Sequence, residues 1–497
     1  MAGLEPSASG SLQAMSSVQS PSLVLDLDGT LIRNDLTFEL FVLCARWQPI
    51  LLLRIAYIAI IDRPLAKRLL TERFAHHIDP KMLPYDPDVL NLIHRFKQSG
   101  NSIELVSGSD EQLVEAIARH IDVPRFKGST RGVNLTGWCK ADYLTKRHGS
   151  NFLYVGNSIS DRAIWHAGQG GFGVNAPSKS YGMQHADGSL VNVKELVPRR
   201  SWAGPLFTSL RPHQWTKNSL LLIVPAIQII HLDATDGLKL LAAVICFSLL
   251  ASATYLINDL FDLQDDRRHR TKCLRPLASG LLSVPIAVAF VFLTLPTCLV
   301  ASFLIDSAFG SVLVSYLIVT TLYSYRLKCL AVIDVFTLAS LFAIRVIAGA
   351  YIVGYPPSGW LLTFVGCFFL SLAIGKRFIE LQALGGEPNT PGRGYVAGDE
   401  IPLLATGSGI GMIAVLAMLI YGLSAPVTVF NSETVVLIGS ALLLAWTMRF
   451  WLLAGRREIS EDPVIYAIRD RTSLILLAAI SLVFAFDLTS PLWTGLF

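Results

Sequence analysis

The alternation of apolar and polar positions changes character once along the chain. Up to about residue 200 it reads as a soluble protein, with short apolar strands and helical segments parted by polar turns. From Ser219 to Leu488 long apolar runs are broken only by short loops. Nine of these runs are candidate membrane spans, roughly 219–232, 238–257, 283–305, 309–325, 331–353, 359–375, 402–423, 433–453 and 472–490. Two modules are therefore expected, meeting near residue 198. They follow a tail over residues 1–20 whose Ser, Ala and Gly content, without a basic start or an apolar core, predicts disorder rather than a signal peptide.

The loops between the runs alternate in charge. Those after spans two, four, six and eight carry Arg267, Arg268, Arg270, Lys272 and Arg275, then Arg326 and Lys328, then Lys376, Arg377 and Arg393, then Arg456, Arg457, Arg469 and Arg471. The remaining loops and the C-terminal tail are nearly free of Lys and Arg. The positive-inside rule then predicts a multi-pass protein of the inner (plasma) membrane, with the front module cytoplasmic and the C-terminus outside. Composition agrees: 52% of the 497 residues are hydrophobic and 16% charged. A net charge of +4 without a basic, aromatic-interleaved run excludes a nucleic-acid partner. The seven cysteines form no CxxC pair or metal spacing and read as small buried hydrophobes in a reducing compartment. Nothing in the sequence specifies an oligomeric state.

In the front module, "PSLVLDLDGTLIRND" is an apolar strand ending in Asp26 and Asp28, followed by Gly29 and Thr30. The spacing points both carboxylates to one side of the strand, and the glycine permits a sharp turn beside them. Such a pair suits attack on phosphorus, one member as nucleophile and the other as acid and then base.

This stretch resembles the first motif of the haloacid dehalogenase (HAD) phosphohydrolases, and three later motifs extend the resemblance over Ser22 to Asp161. "IELVSGSD" places Ser107 where the family binds phosphate, "NLTGWCKADYL" offers Lys140 as its phosphate-neutralising lysine, and "FLYVGNSISD" matches its metal-binding motif. The resemblance implies an α/β domain over 21–198, a parallel sheet with a helical cap at about 36–100. In it Asp26 and Asp28 are catalytic, Thr30, Ser107 and Lys140 bind substrate, and Asp26, Asp28, Asn157 and Asp161 hold Mg²⁺. Asn157 stands where the family has an aspartate; its amide oxygen can ligate Mg²⁺ but brings no charge.

Within the cap region, "WQPILLLRIAYIAII" from Trp47 to Ile61 falls short of the roughly 20 residues a span needs. Asp26 and Asp161 must also meet in one site, so the chain cannot change sides between them. Two readings stay open: a buried cap helix, or a helix lying on the bilayer and presenting the site to a lipid-linked substrate.

After span two comes "NDLFDLQDDRRHRTKCLRP". On a continuous helix Asp259, Asp262 and Asp266 stand at i, i+3 and i+7, with Asn258 on the same broad face. Acids stacked in this way call for a cation, and Mg²⁺ bridging a diphosphate is the natural occupant.

This NDxxDxxxD pattern resembles the UbiA superfamily of intramembrane prenyltransferases, over about Arg211 to the C-terminus. That implies an all-α, nine-helix transmembrane bundle for 199–497 and a Mg²⁺-dependent transferase. Most members carry a second acidic motif, DxxxD; here Asp334 is present but Leu338 replaces its partner. "RPHQWTKN", "DRRHRTKCLRP", "YSYRLK", "AIGKRFIEL" and "EDPVIYAIRDR" are similar to the decaprenyl-phosphate phosphoribosyltransferase branch. Members of that branch move 5-phosphoribose from phosphoribosyl pyrophosphate (PRPP) to a polyprenyl phosphate. The resemblance assigns Asn258, Asp259, Asp262 and Asp266 to Mg²⁺ and pyrophosphate, with Asp262 and Asp266 catalytic. Lys272, Arg275, Tyr323 and Lys328 go to the donor's phosphates, and Lys217, Lys376 and Arg377 to the sugar or lipid phosphate, with Asp334 also binding substrate. The alternatives are an aromatic prenyltransferase using a prenyl diphosphate, its front module a pyrophosphatase, and a front module that only senses phosphate or organises a complex.

Overall fold

The computed structural model describes residues 20–185, 188–227, 232–383, 394–423 and 432–494, with side chains as far as residue 486. Residues 1–19 of the expected tail, part of the first expected span, and Arg393 lie outside the described residues, as do the side chains at the end of the last expected span. The chain divides into two compact units. One comprises the residues up to Ser209 together with Asp259–Ala289, the other Leu210–Asn258 together with the residues from Phe290 onward.

The first unit is built on six parallel strands, β1 (Ser22–Leu25), β2 (Ile103–Asp110), β3 (Arg125–Ser129), β4 (Phe152–Gly156), β5 (Gly171–Val174) and β6 (Val193–Val197), in the order β3-β2-β1-β4-β5-β6. Leu23 of β1 registers with Ile103 on one side and Leu153 on the other. Both faces are covered, as a parallel sheet requires. Leu23 and Leu25 point into a core shared with α1 (Leu36–Trp47), α2 (Pro49–Ile61), α3 (Arg63–Phe74), α4 (Pro87–Gln98) and α5 (Glu111–His120). Val24 points into the opposite core, with α6 (Gly137–His148) and α7 (Arg162–Ala167). Strand order reverses at β1, whose neighbours are β2 and β4, so the crevice where α/β sheets bind ligands opens at the C-terminal end of β1.

Helix α2 is not the buried cap helix of one sequence reading. Ile55 is buried and Leu51, Leu52, Ile58 and Ala59 pack on the core, but Ile50, Leu53, Tyr57, Ile60 and Ile61 are exposed.

Beyond α8 (Ala203–Ser209), the chain winds through a 3₁₀ stretch, Pro212–Leu222, into α9 (Ile223–Ile227), α10 (Ala234–Phe261), α11 (Leu263–Arg268) and α12 (Val284–Ile305). Then follow α13 (Ser307–Tyr325), α14 (Ile333–Ile352), α15 (Gly359–Ala383), α16 (Glu400–Leu423), α17 (Glu433–Gly455), α18 (Pro463–Arg469) and α19 (Arg471–Thr494). Among the described residues seven helices, α10 and α12 to α17, are long and apolar enough to cross a membrane, against the nine stretches expected. The described part of the first expected span begins in the 3₁₀ stretch and continues into α9, packed close to α14: a Cβ on Gly349 of α14 would lie 1.7 Å from the Leu221 carbonyl oxygen. In the last, α19, side chains are described as far as Phe486, and the stretch Arg471–Phe486 is apolar.

Segment Asp259–Ala289 packs with the sheet unit through specific bonds. Arg267 forms a buried ion pair with Glu39 of α1, Nη2 to Oε1 at 2.5 Å, and Gln264 donates to the other Glu39 oxygen at 2.9 Å. Arg46 donates to the Phe261 carbonyl at 2.5 Å, and Asn34 to the Leu277 carbonyl at 3.3 Å. Arg267, counted among the basic residues of its loop, is thus buried in the core.

Candidate active sites

At the C-terminal end of β1 the chain turns on Gly29, whose φ of +72° favours a residue without Cβ. Asp28 accepts from the Leu36 amide at 2.9 Å and Asp35 caps α1, so the loop is tied to the start of that helix. Asp26, Asp28, Ser107, Lys140 and Asp161 line one cavity of about 240 Å³, together with Lys67 of α3. Lys140 Nζ lies 2.7 Å from Asp26 Oδ1 and 3.0 Å from the Tyr154 hydroxyl, which donates to Asp161 Oδ1 at 3.3 Å. Asp28 Oδ2 accepts from Ser109 at 2.6 Å and from Ser107 at 3.2 Å. Asp161 Oδ2 accepts from the amides of Asn157 and Ser158 at 3.0 and 2.8 Å.

Burial pushes Asp26 up to about 6, with Asp161 adding to the rise and Lys140 opposing it. Burial likewise raises Asp28 to about 6, assisted by Asp35. Desolvation lowers Lys67, although Asp28 and Asp35 pull the other way. The cavity therefore concentrates titratable groups that burial shifts from their ordinary values.

Two expected residues are placed elsewhere. Thr30 is fully buried outside the cavity lining, its hydroxyl unpaired among the described residues. The Asn157 side chain packs against Gly29, where a Cβ would come 2.1 Å from Nδ2, and it lines a neighbouring cavity. Lys67, Ser109 and Tyr154 are the residues the motifs did not supply. Ser109 was legible, standing two after Ser107 on the same strand face; Lys67, on an inserted helix, was not.

Among the described residues no three His, Cys, Asp or Glu side chains gather as a metal cluster. The oxygen donors of Asp26 and Asp161 nonetheless fit Mg²⁺, which completes its shell with water and substrate phosphate rather than a full protein cage.

The acidic stretch departs from a continuous helix. α10 ends at Phe261, and Asp262, with φ −89° and ψ 8°, is the residue before α11. Asp259 and Asp266 are buried and share the Arg275 guanidinium, Nη1 lying 3.0 and 2.6 Å from their carboxylates. Asp262 is set apart, 3.7 Å from Arg46. The break and the arginine relieve the repulsion that three stacked acids would suffer. Burial still raises Asp266 against the pull of Arg275. Hard carboxylate donors suit Mg²⁺ here also, but Arg275 already supplies positive charge at the pair. Asn258 precedes Asp259 on α10, and Lys272 is exposed in the turn beyond α11.

In the second unit Asp334 is fully buried. It accepts from Arg377 Nε at 2.5 Å and from the Tyr395 hydroxyl at 2.6 Å, while Arg377 also reaches Tyr323 at 3.0 Å and Glu380. Asp334 and Arg377, expected to bind substrate, are thus joined to each other in the interior. Leu338 packs at the edge of the apolar core. Lys376 pairs with Asp462 at 2.7 Å, and Lys328 is half-buried in the turn after α13. Burial lowers Lys217 to about 8; Lys376, Arg345 and Arg211 lower it further and Asp462 opposes them. Arg345 of α14 is buried against Asn218, at 2.9 Å, and the Tyr316 hydroxyl, at 3.3 Å, among the rings of Phe247, Tyr316 and Phe342. A lone arginine in an apolar run was the sequence signal for it.

The model of the UbiA prenyltransferase family matches residues 219–473, and the chain belongs to that family. With its seven span-length helices, this makes it an integral membrane protein. The uncharacterized protein y4nM of Sinorhizobium fredii is 34% identical over 93% of this chain and 90% of its own length. The decaprenyl-phosphate phosphoribosyltransferase of Mycolicibacterium smegmatis is 36% identical over 37% of this chain; the match spans 59% of that relative's length. A solved UbiA homologue from Archaeoglobus fulgidus, bound to GPP and Mg²⁺, aligns with 57% of this chain and 97% of its own at 20% identity and a TM-score of 0.42.

Proposed function

We propose that the chain transfers 5-phosphoribose from PRPP to a polyprenyl phosphate and that its sheet unit, a HAD-type phosphatase, removes the 5-phosphate from the product. The observation that carries this pairing is the partition of the chain: the acidic stretch and the Asp26 cavity belong to one compact unit. Similarity to the mycolicibacterial phosphoribosyltransferase supports the choice of sugar donor, and Leu338 argues against the ordinary prenyl-diphosphate site.

In the transfer, an oxygen of the lipid phosphate attacks the sugar C1 and the bond from C1 to pyrophosphate breaks. The nucleophile is already anionic, so it needs positioning rather than a base. Asp259, Asp262, Asp266 and Asn258 would hold Mg²⁺, which when bound neutralises the departing pyrophosphate. Lys272 and Arg275 are assigned to the donor phosphates, and Lys217 and Lys376 to the lipid or sugar phosphate. In the hydrolysis, Asp26 attacks phosphorus while Asp28 protonates the leaving ester oxygen. Asp28 then takes a proton from the water that cleaves the aspartyl phosphate. Lys140, Lys67 and Ser107 hold the phosphate oxygens, and Asp26 and Asp161 would hold Mg²⁺. Both chemistries are assigned to the cytosolic side of the plasma membrane, where the product passes between sites at high effective concentration.

The test is to reconstitute the chain in liposomes with polyprenyl phosphate and PRPP labelled in the ribose. Wild type is expected to yield ribosyl lipid and inorganic phosphate, and Asp26→Asn to accumulate phosphoribosyl lipid. Absence of labelled lipid in both would overturn the transfer; identical lipids from both would overturn the phosphatase.

A further inference from the structure

The face of α2 turned away from the core has no partner among the described residues. Ile50 is 85% exposed, Leu53 73%, Tyr57 66% and Ile60 83%. These positions, at i, i+3, i+7 and i+10, form one stripe along the helix, extended by Ile61 and, at the end of α1, by Trp47. α2 carries no acidic residue and a single cation, Arg54. An apolar stripe of this kind facing water marks an interaction surface.

We propose that this face rests in the interfacial zone of the bilayer, docking the sheet unit on the membrane. Its 13 residues span about 20 Å, too short to cross a hydrocarbon core of about 30 Å, so α2 lies along the surface. The bilayer is the occupant within reach. The same compact unit contains Asp259–Phe261, the end of α10, and Val284–Ala289, the start of α12, and both helices are of membrane-spanning length. Trp47 and Tyr57 are residue types that settle at headgroup depth, and the long side chain of Arg54 reaches back toward phosphates. The Arg46 guanidinium lies 5.0 Å from the Trp47 ring centroid, setting a second cation beside the stripe. The helices flanking α2 also wall the Asp26 cavity, through Phe38 of α1 and Lys67 of α3. Docking by α2 therefore brings that cavity to the level of a lipid-linked phosphate. The surface assignment itself stands apart from the proposed chemistry.

The test uses the full chain in liposomes, with its natural cysteines replaced and a nitroxide attached to a single cysteine at position 50, 53, 57 or 60. Arg119→Cys on α5 is the aqueous reference. Collision with oxygen relative to a water-soluble nickel complex should be several-fold higher at the four stripe positions than at the reference. Water-like ratios at all four would overturn the proposal, as would spin–spin broadening that reveals a second copy on the same face. Should the cysteine-free background fail to fold, a photo-reactive benzophenone side chain replacing Leu53 in the unaltered chain gives the same answer. Lipid adducts are expected, and their absence alongside protein cross-links overturns the idea.

Discussion

The Glu39 carboxylate and the Arg267 guanidinium meet at 2.5 Å with both side chains almost wholly buried. Glu39 lies on α1, which starts where Asp28 accepts the Leu36 amide. Arg267 follows Asp266, one of the two acids bridged by Arg275. A short run of bonds and helix thus links the two acidic sites within one unit. Removing one member strands a buried charge, so Glu39→Ala should destabilise the sheet unit by about 3–5 kcal/mol. The Glu39→Met, Arg267→Met double variant should recover most of that loss. Thermal unfolding in detergent is the measurement; a double variant as unstable as the single would show that the pair is not the cause.

Lys140 is the fixed cation beside Asp26, the proposed nucleophile. Lys140→Met should lower phosphate release by about 10²–10³-fold, the usual cost of losing one preorganised charge partner. Sugar transfer should be unaffected. Equal losses in both activities would point instead to collapse of the unit.

Arg275 supplies the positive charge between Asp259 and Asp266. In Arg275→Met these carboxylates are left facing each other, and a divalent ion should take the cation's place. Mg²⁺ is therefore expected to raise the melting temperature of the variant more than that of wild type, and EDTA to reverse the gain. Equal responses of the two proteins would remove the acids from the metal assignment.

Lys217, held at about 8, changes charge inside the accessible pH range. Its lowered value means the charge is present below pH 8 and lost as pH rises through it. If it grips a phosphate, KM for polyprenyl phosphate should rise by about tenfold per pH unit well above 8, following the fall in protonated lysine. Lys217→Arg, which stays charged, should flatten that limb. A limb that persists in the arginine variant belongs to another group.

Much of the Asp26 cavity was legible in the sequence because its parts sit at strand ends, where two-residue periodicity fixes direction. Asp26 and Asp28 follow from that rule, Ser107 from the motif resemblance, and the three line one cavity. Lys67 did not follow, since nothing local states which inserted helix folds over the site. Thr30 and Asn157 lie elsewhere than motif position suggested: Thr30, next to the Gly29 turn, is buried, and the Asn157 side chain, beyond β4, lies against Gly29 and lines a neighbouring hollow. The described residues give seven of the nine expected spans by length and apolarity; of the first, Pro212–Leu222 winds as a 3₁₀ stretch against α14, which the apolar run alone did not state.

By itself the sequence determined the membrane character and the order of the acidic motifs, since both depend on periodicity and on the transfer of apolar runs out of water; that Asp259–Ala289 joins the sheet unit was decided by packing. Tertiary structure alone decided which charges face one another. It paired Glu39 with Arg267 across more than two hundred positions, put Arg275 between Asp259 and Asp266, and joined Asp334 to Arg377. Buried charges must find partners, and the partner is set by where the chain returns in space rather than by distance along it.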